Sequence, residues 1–412
     1  MRRTGQSVPV TGLGCLCAAG GSVPELTNAL FAGPPGRPEA QRPFGSGALR
    51  AGVAWREVRG QRYPVFQLAQ RVVPPGYYEG PECLRCGRLA VVAAREALLH
   101  AGLPPEALRD RRVGVCLGTT VGSAMNNETF YRDFRANRRP GIEPIRQYLR
   151  ANPATMVAQE FDLTGPCQTI TNACSSGAAA IGHAAGWVRT GICDVALAGG
   201  ADMLCNVIHA GFLSLLITDP SPCRPFDRNR RGLNLGEGAG IVVLESPQSA
   251  RERGAPVQAW LCGYGNASDA YHISTPEPKG TGLRRAIDQA LTEADVDPRE
   301  IDFINAHGTG TPENDRVEGR LFPEMFPGTP FGSTKGFTGH TLGAAGGIEA
   351  VITILCLQQK CIPANVGFQE PDPEFPGRPV AENTQVRGRW GLSDSVAFGG
   401  NNVALIFRES SP

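Results

Sequence analysis

TITNACSSGAAAIGHAAGWV, Thr169 to Val188, reads as the end of a strand, a small polar turn and the start of a helix. The β-branched Ile170 and Thr171 favour extended backbone, and the Ala-rich run after Gly177 favours helix. Cys174 stands at the junction. Free backbone N–H groups and the helix dipole at such a point favour a thiolate, so the segment predicts a nucleophile. The small residues Ser175 to Ala178 would let another chain or an acyl group come close. Read alone, the segment fits a small buried cysteine equally well.

The same pattern recurs. PFGSTKGFTGHTLGAAGGIEAV, Pro330 to Val351, is again an apolar run, a Gly/Thr turn and an Ala/Gly helix, now carrying Lys335 and His340. IDFINAHGTGT from Ile301 places His307 after an apolar run and echoes RVGVCLGTTVGSA from Arg112. VPVTGLGCLCAAGG near the start echoes VQAWLCGYGNASDA from Val257. These pairs describe a diverged internal duplication of strands alternating with helices, which is an α/β pattern. The apolar runs are nearly continuous, so the strands are expected to be buried on both faces. RLAVVAAREALLHAG and GLRRAIDQALTEADV have helical periodicity and stand at matching places in the two halves. The halves are taken as 1–250 and 251–412, divided in the polar stretch PQSARERGAP. One Cys, two His and one Lys at strand-end turns point to nucleophilic catalysis.

Composition narrows the classes. The net charge of +1 over 412 residues gives bulk electrostatics no hold on nucleic acid or a membrane surface. Thirteen scattered cysteines, an odd number, suit a reducing cytoplasm better than a disulfide framework. Cys83 and Cys86 form a lone C-x-x-C without a second pair, short of the four ligands that a zinc site takes. Arg2 and Arg3 precede a short Gly-interrupted strand pattern and are not read as an export signal. No apolar run is read as membrane-spanning. GTGTP lacks the GK[ST] ending of a phosphate loop.

ACSSG, ALAGGAD, CRPFDRNRRGLNLGEGAG, GYGNASDAYH, AHGTGTPENDRVEG, STKGFTGHTLGAAG and FGGNN, in this order, resemble the motif set of the β-ketoacyl-acyl carrier protein synthases of the elongating, thiolase-fold type. The resemblance covers nearly the whole chain. It implies a five-layered αβαβα sandwich of two similar halves, with a capping and dimer insertion at about 120–160. It implies decarboxylative Claisen condensation of a Cys-bound acyl group with a malonyl-acyl carrier protein, in fatty-acid or type II polyketide or polyene synthesis. It assigns catalysis to Cys174, His307, His340 and Lys335. The oxyanion donors and gate fall on Cys174, Phe398 and Gly399, and the supporting roles on Glu349, Asp315 and Glu318. Asp269 and His272 match a motif at the site entrance. No cofactor and no metal is implied. The partners implied are acyl carrier protein and either a second copy or a ketosynthase-like subunit. Arg85, Arg88, Arg135, Arg138 and Arg139 are the candidate carrier-docking residues. The insertion, Met125 to Gln159, mixes Phe130, Tyr131, Phe134 and Tyr148 with arginines, as an interface would.

Two departures from the family pattern stand out. Val396 and Ala397 precede Phe398 where relatives carry Phe and Gly, and Asn314 stands where Gly is common. The altered gate and short insertion favour a specialised polyketide or polyene pathway. Two other functions fit the resemblance: a non-catalytic chain-length-factor-like partner subunit, and an acyltransferase that does not condense. The intact Cys174 weighs against the first and the intact histidines against the second.

Overall fold

The computed structural model describes residues 7–31, 53–58, 60–68, 85–122, 127–150 and 152–410. Arg2, Arg3, Cys83 and Met125 lie outside them, as does the side chain of Tyr148.

Five strands of the first half, Val8–Cys17, Val113–Gly118, Cys167–Ile170, Val195–Asp202 and Gly238–Glu245, are followed by five of the second: Ala259–Ser268, Phe303–Asn305, Phe331–Gly332, Trp390–Ala397 and Asn401–Glu409. Numbered within each half, both sets have the spatial order 3-2-4-5-1. The first strands of the two halves then pair antiparallel over Val8–Val10 and Ala259–Leu261, making one mixed ten-stranded sheet. Parallel pairing is confined to the third, second and fourth strands of each set.

Helices cover this sheet in layers. Arg85–His100 and Pro153–Glu160 pack on the outer face of the first half. Thr281–Ala294 and Pro312–Met325 cover the outer face of the second. Ser176–Arg189 and Ala345–Gln359 lie between the halves and share one core with strands of both. The result is the αβαβα sandwich. Leu342–Gln359 is long and apolar enough to cross a bilayer, with mean hydropathy 1.4, but 89% of it is buried inside the protein. The sequence reading passed over it because the Gly-rich turn that opens the stretch lowers its apparent length.

The small residues at the two helix starts have a packing reason. A Cβ on Gly177 would sit 2.8 Å from Gly343 O and from Gly347 N. One on Gly346 would lie 2.7 Å from Ala178 Cβ. The central helices therefore begin backbone against backbone, where an added methyl would force shifts of about 1–3 kcal/mol. The chain that approaches Cys174's helix is the other central helix. This brings the Cys174 turn and the His340 turn together.

Candidate active site

Each central helix is entered through the same local device. A short 3₁₀ turn, Ala173–Ser175 in the first half and Leu342–Ala344 in the second, leads into the α-helix. The first residue of each turn has left-handed backbone, with φ 48° at Ala173 and 57° at Leu342. That conformation is costly for residues with a Cβ and persists only where packing fixes it. It ends the extended segment abruptly and turns Cys174 and, two residues earlier in the second half, His340 towards each other.

Cys174 Sγ lies 3.0 Å from His340 Nε2. The rings of His307 and His340 meet edge to face at 5.2 Å. Lys335 Nζ is 3.1 Å from His307 Nδ1, contacts the His307 carbonyl and pairs with Glu349. All five side chains are buried. An ammonium can only donate, so Lys335 leaves the ring proton of His307 on Nε2. Burial and the Lys335 charge hold both imidazoles well below their ordinary pKa, so they are neutral donors.

Burial works against the thiolate expected from the helix terminus. Burial pushes the Cys174 thiol up to about 12; the Lys335 charge and the backbone N–H of Phe398 pull the other way without overcoming it.

Two glycines shape the turn at Phe398, where the resemblance places a gate. Gly399 and Gly400 have φ 81° and 75°. Gly399 N–H donates to Ile273 O at 2.8 Å, and Asp269 N–H donates to Gly400 O at 2.8 Å. Asn402 Nδ2 ties Asp269 Oδ1 to the same turn at 2.8 Å. Asp269 thus braces this turn, while His272 is exposed and accepts from Ser274 N–H at 3.2 Å. Phe398 lies stacked on Phe212, with centroids 5.7 Å apart and planes 14° apart. Cys174, His307 and His340 open on a cavity of about 220 Å³, whose apolar wall includes Phe212, Leu215, Ile217, Leu233, Val396 and Ala397.

Asp315 and Glu318 hold the turn after His307. Asp315 accepts from Phe226 N at 2.7 Å and Gly310 N at 3.2 Å. Glu318 accepts from Gly308 N at 2.8 Å and from Asn314 Nδ2. Asn314 is therefore part of this support and needs the amide that a glycine would lack. Two residues that the sequence reading missed complete the site: Phe212, and Asp394, whose Oδ1 accepts the His307 backbone N–H at 3.3 Å. Neither lies in a motif, and both reach the site only through long-range packing.

The candidate docking arginines separate. Arg85 is a correction: it forms a two-point ion pair with buried Glu237, at 2.9 Å and 2.5 Å, and so is committed to the fold. Arg88 is half-buried. Arg135, Arg138 and Arg139 are exposed, and Arg138 pairs with Asp133 at 2.9 Å. Cys86 is a core residue whose thiol faces Ala201 O at 3.2 Å.

Residues 6–250 match the family model "Beta-ketoacyl synthase, N-terminal domain", and 258–369 match "Beta-ketoacyl synthase, C-terminal domain". The chain is 37% identical to the mitochondrial 3-oxoacyl-[acyl-carrier-protein] synthase of Arabidopsis thaliana, over 77% of this chain and 73% of that one. The solved ishigamide ketosynthase/chain length factor is 32% identical, with a TM-score of 0.87 over 98% of this chain and 100% of that one. A type II PKS acyl-carrier protein in complex with its ketosynthase bound to the hexaketide is 26% identical, with a TM-score of 0.85 over 98% and 100%.

Proposed function

We propose, for a chain that belongs to the β-ketoacyl synthase family, that Cys174 takes an acyl group from an acyl carrier protein and that His307 and His340 hold the enolate formed from a malonyl carrier thioester. The supporting observation is the convergence of the Cys174 thiol, two neutral imidazoles and the Phe398 N–H on one cavity.

In the first step Cys174 Sγ attacks the acyl carbonyl, the bond to the carrier sulfur breaks, and the Cys174 proton leaves on the carrier thiol. Buried Sγ is a poor thiolate at rest, so charge develops on it only as the acyl carbon approaches. Phe398 N–H and the Lys335 charge then favour it. The N–H groups of Cys174 and Phe398 serve the tetrahedral oxyanion. In the second step the malonyl carboxylate leaves as carbon dioxide, and two imidazole N–H groups stabilise the resulting enolate oxygen. Lys335 and Glu349 fix the His307 tautomer and transfer no proton. In the third step the enolate carbon attacks the Cys174 thioester, the C–S bond breaks, a 3-oxoacyl carrier thioester departs, and the released Cys174 thiolate takes up a proton from solvent to restore the thiol.

The working unit is a dimer, of two copies or of this chain with a ketosynthase-like subunit. The strand Cys167–Ile170 is an edge of the ten-stranded sheet, and its first two residues are exposed. Tyr131, Phe134, Ile142 and Leu149 are exposed nearby in sequence. Unpaired edges and apolar side chains of this kind invite a partner. We place the enzyme in the cytoplasm, in fatty-acid or type II polyketide synthesis, with a carrier steered by Arg135, Arg138 and Arg139. A non-catalytic partner role is not favoured, because the nucleophile and both donors are in place.

The test is intact-mass analysis after incubation with acyl carrier protein, together with carbon dioxide release from malonyl carrier. An acyl adduct on Cys174 and release of carbon dioxide are expected. Loading without decarboxylation would leave an acyltransferase, and neither would leave a non-catalytic subunit.

A further inference from the structure

The fourth strand of each half runs to the helix entry of the other half. In the second half it ends at Ala397, and the N–H of Phe398 beside it acts on Cys174. In the first half it ends at Asp202, which is 0% exposed. Asp202 Oδ2 accepts the Gly343 N–H and the Thr120 N–H, each at 2.7 Å, and Oδ1 accepts the Thr119 hydroxyl at 2.8 Å. Gly343 belongs to the turn Leu342–Ala344 that follows His340. Thr119 O lies 3.3 Å from Ser176 Oγ, two residues after Cys174. One side chain thus joins the turn of the nucleophile to the turn of the second imidazole. Asp202 lies behind the cavity wall rather than in it, so it touches no substrate.

We propose that Asp202 is a positioning residue for decarboxylation: its carboxylate clasps the two halves together and sets the His340 turn against Cys174. The proposal rests on reading His340 as an enolate donor.

The turn needs such a hold. Leu342 has φ 57°, a conformation that persists in a residue with a Cβ only where its neighbours fix it. On the near side the His340 peptide is fixed twice: His340 N–H donates to Asn234 O at 2.7 Å, and Gly236 N–H donates to His340 O at 2.9 Å. On the far side Gly343 N–H has Asp202. The seat is tight, since a Cβ on Gly343 would lie 2.5 Å from Thr119 C and Thr120 N, and one on Gly200 would lie 2.4 Å from Gly343 O. Close packing excludes bulk but does not pull the turn into place. The hydrogen bond does, and a charged acceptor makes it a strong one. Burial raises the Asp202 carboxyl, and its donors at Thr119, Thr120 and Gly343 oppose the rise. A proton on either oxygen would compete with those donors. Without the clasp Leu342 is free to relax, and the imidazole two residues before it tilts away from Cys174 Sγ.

The test is a double-mutant cycle on the full chain. Decarboxylation of malonyl carrier gives kcat and KM, intact mass gives acyl loading on Cys174, and thermal melting ensures that folded proteins are compared. Asp202→Ala is expected to lose about 10- to 100-fold in kcat, as loss of a bond to a charged acceptor dictates. KM should change by less than about threefold, with acyl loading retained, because the lost interaction serves the transition state. In the His340→Ala background the same substitution should cost less than about threefold more, since the group it positions is already gone. Undiminished kcat in Asp202→Ala overturns the proposal. So does a full further loss in the His340→Ala background, which would make Asp202 a general support of the fold. Normal decarboxylation by His340→Ala alone would instead overturn the role of His340, and so separates the two failures. If Asp202→Ala does not fold, Asp202→Asn decides. Its amide oxygen can take the Thr120 and Gly343 N–H groups while its NH2 faces the Thr119 hydroxyl. A neutral acceptor holds the turn less firmly, so a loss of about three- to tenfold is expected, absent when His340 is Ala. Equal losses in both backgrounds overturn the proposal.

Discussion

Replacing Gly399 by Ala tests whether the gate turn orders the two half-reactions. Gly399 has φ 81°, and a Cβ there would meet nothing nearer than Asn401 Nδ2 at 3.2 Å. The added methyl therefore costs mainly backbone strain, about 1–2 kcal/mol for a left-handed residue with a Cβ. That strain belongs to the closed turn, in which Gly399 N–H reaches Ile273 O and Phe398 stacks on Phe212. An open turn free of it would gain by the same amount, roughly a 5- to 30-fold shift in population. Phe398→Ala and Phe212→Ala remove the stack, worth about 0.5–1.5 kcal/mol, and should move the gate the same way by less. Gly400→Ala is the harsher control, since its Cβ would lie 2.9 Å from Asp269 Cβ and the fold itself would have to shift. The assay is the ratio of idle carbon dioxide release, without acyl donor, to coupled condensation. Gly399→Ala should raise this ratio several-fold with the melting temperature little changed. If Gly399→Ala lowers both reactions equally, or leaves the ratio alone, the turn is packing and not a gate.

Cys174→Ala should give no acyl adduct by intact mass while keeping the fold; an adduct on that variant would assign the nucleophile elsewhere. His307→Ala and His340→Ala should each load acyl groups yet release carbon dioxide about 10²–10³-fold more slowly, the usual effect of losing an oxyanion donor; undiminished release in both would refute the enolate roles. Lys335→Met leaves Glu349 buried without its partner and should destabilise the protein by about 3–5 kcal/mol. Burial already raises Glu349, and the Lys335 charge opposes that rise; without it the carboxyl binds its proton more tightly than the unfolded chain does, so denaturant melts should show a larger loss at pH 8 than at pH 6. Reversing Arg138 and Arg139 to Glu should raise KM for acyl carrier and weaken its salt dependence, with a small thioester analogue little affected. Equal losses on both substrates would assign these arginines to the fold.

What the sequence disclosed and what it withheld divide by the range of the interactions. Cys174, His307, Lys335 and His340 each sit in a turn whose chemistry is local, so each was legible in its own segment. Their convergence followed from the duplication, because equivalent turns in two equivalent halves end at the same place between the sheets. Arg85 was misread because its partner, Glu237, is 152 residues away and carries no local sign of the pairing. The thiolate was misread for a related reason: a helix start is written in neighbouring residues, whereas the burial that pushes Cys174 up to about 12 is assembled from the whole fold. Phe212 and Asp394 were invisible as site residues, one inside an apolar helix and the other inside a strand. Asp394 in particular, in LSDSVAF, carries no local sign that its carboxylate accepts the His307 N–H. A buried carboxyl is costly without compensation, so its presence in a central strand is itself a signal. A lone Asp in a buried strand is reason to look for the donor that it holds, and here that donor is the His307 backbone N–H.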